Sequence, residues 1–143
     1  MNVTFTRRYH FSASHRLDCG ALSPQVNRDV YGKCNNPHGH GHNYRLEVSV
    51  RGPVDRATGM VINMADLDAV VGESVVERFH LMNLNMDPLF EQSVPTTENL
   101  CRAIHRLLVD KLPPGKLDRI RIEETENNFF EYSGTRAGAR ASG

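Results

Sequence analysis

An α+β fold is predicted by this sequence, with an antiparallel four-stranded sheet and two helices on one of its faces. Three observations carry that expectation. Apolar and polar side chains alternate with a period of two near both ends of the chain, helical spacing marks two segments between them, and the resulting order is β-β-α-α-β-β without repeats. Two hairpins flanking two helices close most simply as one sheet with the helices packed against a single face.

The first strand covers residues 3 to 15. Val3, Phe5, Tyr9, Phe11 and Ala13 share one face, Arg7 interrupts that apolar set, and His15 ends it. Thr4, Thr6, Arg8, His10, Ser12 and Ser14 form the polar face. Residues 18 to 39 hold Gly, Pro, Asn and Asp without periodicity and read as a long loop, a kind of segment that often carries function. Residues 40 to 51 form the second strand, with Tyr44, Leu46, Val48 and Val50 inward. Gly52-Pro53 and Ala57-Thr58-Gly59 mark turns. Leu67, Val70, Val71, Val75 and Phe79 give the first helix over 65–79. The second follows a Thr96-Thr97 cap, carries Leu100, Ala103, Ile104, Leu107, Leu108 and Leu112, and stops at Pro113-Pro114-Gly115. Leu117 to Glu126 alternates through Ile120 and Ile122, and Phe129 to Tyr132 is a short last strand. One domain is expected over 1–132, with a flexible tail of small and polar residues over 133–143.

Composition narrows the function classes. Of 143 residues, 39% are hydrophobic and 24% charged, as in an ordinary globular protein. Lys+Arg and Asp+Glu both number 17, so the net charge is zero, which argues against a general nucleic-acid or anionic-membrane binder. No apolar run approaches the roughly 18 residues of a membrane span, and the first residues lack the apolar core of a signal peptide. The cysteine count is odd (Cys19, Cys34 and Cys101), which does not suggest a disulfide framework, so a cytoplasmic protein with free thiols is expected.

The histidines carry the first chemical signal. In PHGHGHNY, His40 and His42 share a strand face with Tyr44 and Leu46, while His15 holds the matching inward place on the first strand. Three imidazoles at the ends of two neighbouring inward faces make a three-ligand zinc site with a fourth position open, the catalytic arrangement. His38 lies out of phase, and His10 and His105 read as surface histidines. Cys34 lies six residues before His40. Beside a dication its thiol would ionise more readily and could serve as a base or nucleophile. Glu124 shares its strand face with Ile120 and Ile122, so it points inward and needs a partner. Taken alone, a salt bridge to a basic side chain is the simplest reading of Glu124, and helix capping suffices for Thr96, Thr97 and Glu98.

Taken together, FSASHRL, YGKCNNPHGHGHNYRLEVSVRG, DRATGMVINMADL, PTTENL and EETENN resemble the 6-pyruvoyl-tetrahydropterin synthase family from about Phe5 to Tyr132. The resemblance implies the T-fold (tunnelling fold), in which three subunits close a twelve-stranded barrel and two trimers stack into a homohexamer with active sites between subunits. It also implies Zn2+ on His15, His40 and His42, Cys34 as the active-site cysteine, and Glu124 as the pterin anchor. Thr96, Thr97 and Glu98 are implied as further pterin contacts. The implied partner is a small pterin, with no nucleic acid and no membrane. The implied reaction converts 7,8-dihydroneopterin triphosphate to 6-pyruvoyl-tetrahydropterin with elimination of triphosphate.

The sequence departs from the family pattern at one place. Where the family carries an Asp-His pair in a DHKNL-like segment, this chain has His80-Leu81 before Met82-Asn83-Leu84. His80 is therefore the candidate second catalytic group, without the carboxylate that would orient it. Two alternatives follow. One is the 6-carboxy-tetrahydropterin synthase branch of the queuosine route, whose CxxxHGH spacing is matched by Cys34 to His38-Gly39-His40. The longer spacing to the His40-Gly41-His42 pair looks more like the pyruvoyl synthase. The other alternative is a zinc- and pterin-binding homologue with altered or absent catalysis.

Overall fold

The computed structural model describes residues 1–134. A five-stranded sheet in the order β3-β1-β2-β4-β5 carries the molecule. β1 (Asn2–His15) and β2 (His40–Pro53) form a long antiparallel pair. β4 (Leu117–Thr125) pairs antiparallel with β2, and β5 (Asn128–Tyr132) closes the last hairpin. The expected four strands are all present. The fifth, β3 (Met82–Asn83), lies parallel to β1 on the outer edge. Two residues are too few to show a period, so the sequence carried no sign of it.

Two helices cover one face of the sheet. α2 (Met64–Val71) and α4 (Thr97–Val109) send Leu67, Val71, Leu100, Ile104 and Leu108 into a core completed by Phe11, Tyr44, Leu46, Val48, Val50, Ile120 and Ile122. The first helical segment is not one uniform helix. After α2 comes a π turn (Gly72–Val76), then the short α3 (Glu77–Phe79). The cause is legible in the spacing. Leu67, Val71, Val75 and Phe79 recur every four residues, and each step overshoots a 3.6-residue turn. The wider i→i+5 turn takes up that drift and keeps all four buried.

Arg7, the break in the apolar face of β1, is met from α2. Its guanidinium donates to both carboxylate oxygens of Asp68 at 3.1 and 3.0 Å, and the Tyr9 hydroxyl donates to the same carboxylate at 2.7 Å. On the opposite face of β2, Glu47 and Ser49 are buried although their phase is polar. Glu47 accepts from Arg8 at 2.9 Å, and Ser49 shares a hydrogen bond with Thr6 at 2.7 Å.

The expected loop over 18–39 contains a helix, α1 (Pro24–Tyr31), followed by a 3₁₀ turn at Gly32–Asn35. The start signal was present in the sequence: Ser23 caps it and Pro24 occupies the first turn. No apolar stripe was visible because α1 has none to bury. Val26 and Val30 are exposed, and the buried residue is Asn27. The Asn27 side chain bonds the backbone of Cys19, Leu22 and Ser23, so this helix docks by hydrogen bonds rather than by oil. His105 is also not a surface residue. It is half-buried and packs edge-on against Tyr132, with the ring centroids 5.0 Å apart. Among the described residues, no helix is long and apolar enough to cross a membrane. From Thr135 on, the tail expected over 133–143 lies outside the described residues.

Candidate metal centre and its surroundings

The β1–β2 register sets His15 directly opposite His40, with His42 opposite Ala13. Opposed residues of an antiparallel pair point to the same face, so the ladder itself gathers the three rings. Their ligand atoms lie within 4.8 Å of one another. The His15 and His40 Nε2 atoms are 3.2 Å apart, close to the ~3.3 Å edge of a tetrahedron with ligands about 2.0–2.1 Å from a zinc ion.

The free nitrogens point the same way. His15 Nδ1 lies 2.8 Å from the Pro95 carbonyl and donates to it, which leaves Nε2 as the lone-pair nitrogen facing the cluster. His40 Nδ1 and His42 Nε2 are buried without a hydrogen-bond partner. Such atoms call for an explanation, and for His42 Nε2 a cation held by the three rings would supply it. Burial pushes the pKa of His15 and of His42 below the usual histidine range, with repulsion from the neighbouring imidazoles adding to it. Neutral rings are what metal ligation needs.

Gly39 makes the approach feasible. Its φ is +72°, and a Cβ there would stand 3.0 Å from the His15 carbonyl oxygen. Gly41 has no such role, since a Cβ there would meet Ala13 at an ordinary 3.6 Å.

Glu124 reaches the cluster from β4. A register irregularity between Glu123 and Thr125 sets it at the end of the ladder. Its Oε1 stands 3.9 Å from His42 Nε2, and its Oε2 accepts a hydrogen bond from the Thr97 hydroxyl. Thr97 is buried in the first turn of α4, while Thr96 caps that helix through Asn99 N–H at 3.2 Å. Glu98 lies exposed on the same turn, and no described contact joins it to this group.

Cys34 arrives from the 3₁₀ turn after α1. Its carbonyl accepts from Leu17 N–H at 2.8 Å, which ties that turn to the chain just past His15. Buried Asn35 strengthens the tie by donating to the Leu17 carbonyl and to Asp18, both at 2.8 Å. Burial, and then the negative field of Glu124, push the Cys34 thiol up in pKa. A thiolate there needs a cation close by.

His80 sits elsewhere. It is exposed at the end of α3, and its Nδ1 accepts from Ser12 N–H at 3.1 Å on the outer edge of β1. Leu81 follows at φ +61°, donating its N–H to the Ser12 carbonyl. A cleft of about 470 Å³ runs along this edge and touches the cluster only at His42. His38 and His10 are exposed and apart from the cluster.

Two groups at the centre were not foreseen as part of it. The Tyr44 hydroxyl is buried without a partner, and the Tyr44 ring centroid is 5.6 Å from that of His42. Its strand phase, next after His40 and His42, was the available signal. The Pro95 carbonyl is a backbone atom 80 residues away from His15, so no side-chain pattern could mark it.

Residues 4–135 match the family model described as 6-pyruvoyl tetrahydropterin synthase. The human 6-pyruvoyl tetrahydrobiopterin synthase is 47% identical over 130 residues, which span 90% of this chain and 90% of that protein. The Drosophila melanogaster protein of the same name is 45% identical over 133 residues, 90% of this chain and 78% of that one. The solved structure of Caenorhabditis elegans 6-pyruvoyl tetrahydropterin synthase superposes with a TM-score of 0.91 at 38% identity, over 94% of this chain and 97% of that one.

Proposed function

Since the chain belongs to the 6-pyruvoyl tetrahydropterin synthase family, we propose that it converts 7,8-dihydroneopterin triphosphate to 6-pyruvoyl-tetrahydropterin with elimination of triphosphate, as a zinc-dependent carbon–oxygen lyase. The observation that carries this reading is the cluster of His15, His40 and His42, facing a carboxylate held by Thr97. His15, His40 and His42 would hold the zinc ion, which would act as a Lewis acid on the side-chain oxygens of the substrate.

The chain's own groups divide the remaining work. Glu124 accepts the two parallel donors of the pterin amino-amidine edge, and Thr97 keeps that carboxylate aimed. Thr96 and Glu98, at the start of the same helix, are further pterin contacts. Cys34 removes a proton from side-chain carbon once a nearby cation lowers its pKa. The Pro95 carbonyl holds the tautomer of His15.

His80 is the second proton-handling group. Because its Nδ1 accepts from Ser12, its neutral ring carries the proton on Nε2, a donor directed away from β1. That role requires active sites shared between subunits, and we accordingly take the working form to be a homohexamer built as a dimer of trimers. We place the protein in the cytoplasm, a reading supported by its three free thiols.

The test is to incubate zinc-loaded protein with 7,8-dihydroneopterin triphosphate, quantify released triphosphate and identify the pterin by mass. The expected result is the 6-pyruvoyl product, with turnover lost in Cys34→Ala. A 6-carboxy product would assign the protein to the other branch of the family. Tight pterin binding without triphosphate release would mean that the His80-Leu81 departure has removed the catalysis.

A further inference from the structure

The segment between α3 and α4 is closed into a loop by a bidentate ion pair. Arg78 donates through Nε and Nη2 to both carboxylate oxygens of Asp87, at 2.9 and 2.8 Å. Those bonds hold the Asp87 carboxyl below the usual carboxylate range. Leu84 is fully buried and fixes the middle of the loop to the core. The Asn83 side chain accepts from the Asn85 N–H at 3.0 Å and starts the 3₁₀ turn Leu84–Met86. The Asn85 backbone N–H is thereby engaged inside the turn, and its side-chain amide reaches across to the end of β1.

The contact made there is that of a strand residue. Arg16, one past the last residue of β1, donates its N–H to the Asn85 side-chain oxygen at 2.7 Å, and its carbonyl accepts from the Asn85 side-chain nitrogen at 2.9 Å. A neighbouring strand engages both backbone groups of a residue in the same way. The loop repeats this pattern four residues earlier. His80 Nδ1 accepts from Ser12 N–H at 3.1 Å, and Leu81 N–H donates to the Ser12 carbonyl at 2.6 Å. Between these two points Ser14 lies opposite Asn83 of β3. The outer edge of β1 is thus followed from Ser12 to Arg16, although β3 itself has only two residues. Beyond Arg16 the Cys34 turn takes hold, because Leu17 N–H donates to the Cys34 carbonyl at 2.8 Å.

Strand ends open first unless something ties them down. His15 is the last residue of β1 and is 2% exposed. The Pro95 carbonyl fixes its ring, but its backbone is set by the residues on either side. We propose that Asn85 is a positioning residue for the metal centre: its side-chain amide completes the edge of β1 and so fixes where His15 Nε2 stands, without touching metal or substrate. The inference rests on the reading of His15, His40 and His42 as that centre.

Asn85→Leu removes both bonds at nearly constant side-chain volume. Amide hydrogen exchange on the metal-free protein should show the Arg16 N–H exchanging about tenfold faster or more in this variant, since its acceptor is gone. Zinc affinity, read by competition with a chromophoric chelator, should fall about tenfold. That is the low end of the 10–100-fold effect of outer-shell partners, because Asn85 acts through the backbone rather than on the ring. Val71→Ala, a core change in α2 that also lowers stability, should leave zinc affinity at the wild-type value, which separates positioning from loss of stability. Unchanged zinc affinity or unchanged Arg16 exchange in Asn85→Leu, or an equal loss of affinity in Val71→Ala, would each overturn the inference and leave the metal centre standing. A wild type that binds no zinc would reject the centre and the inference together. Asn85-dependent zinc binding without any release of triphosphate from substrate would keep the inference and reject the lyase reading.

Discussion

The two ends of the β1–β2 ladder obey the same alternation and do opposite things. In its middle, the inward positions are Phe11, Tyr44, Leu46 and Val48, sealed beneath helices. At its open end the next inward positions are His15, His40 and His42. Fully burying an aliphatic side chain contributes about 1.5–3 kcal/mol. Leaving a buried polar atom without a partner costs about 1–3 kcal/mol, and His40 Nδ1, His42 Nε2 and the Tyr44 hydroxyl are three such atoms. The histidine end is therefore held in place by the apolar end and, with those atoms unpartnered, subtracts from stability. A continuous strand lets one region supply the rigidity that the other uses to keep unsatisfied nitrogens converged.

That contrast breaks most sharply when one residue is removed from each end. His42→Ala should cost metal affinity well beyond the ~100-fold typical of losing an outer-shell partner, while the metal-free variant unfolds no earlier than metal-free wild type. Metal titration and thermal melts on the same samples check both halves. Leu46→Ala should do the reverse. It should lose about 2–5 kcal/mol of stability in urea unfolding, yet its folded fraction should load metal with wild-type affinity.

The smallest effect comes from a histidine outside the cluster, His105, which packs against Tyr132. Burial lowers the pKa of His105 below 6.5, so on acidification the unfolded chain takes up its proton before the folded chain does. Its contribution is complete above the unfolded value and is lost as pH falls below it. Stability of wild type relative to His105→Gln should therefore drop between about pH 7.5 and pH 5, as read from paired urea midpoints. A flat difference would show that Tyr132 packs equally well against the charged ring.

Much of the architecture was legible because burial leaves a period. The long strands and α4 each have one apolar face, and the same alternation that identified β1 and β2 also put His15, His40 and His42 on the inner side. Elements without an apolar face stayed hidden. α1 docks through Asn27, and β3 is two residues long. The π turn was implied by the four-residue spacing from Leu67 to Phe79 but is recognisable only once those residues share one core.

For the site, the sequence by itself determined which side chains are chemically capable and which face each occupies, because strand phase is a local property. Tertiary structure decided what meets what. Pairing between strands aligned His15 with His40, and the packing of α4 brought Thr97 to Glu124 and the Pro95 carbonyl to His15. It also left Glu98 in solvent and set His80 against the outer edge of β1. Those contacts join residues far apart in the chain, and their distances depend on how whole elements pack, which no local pattern encodes.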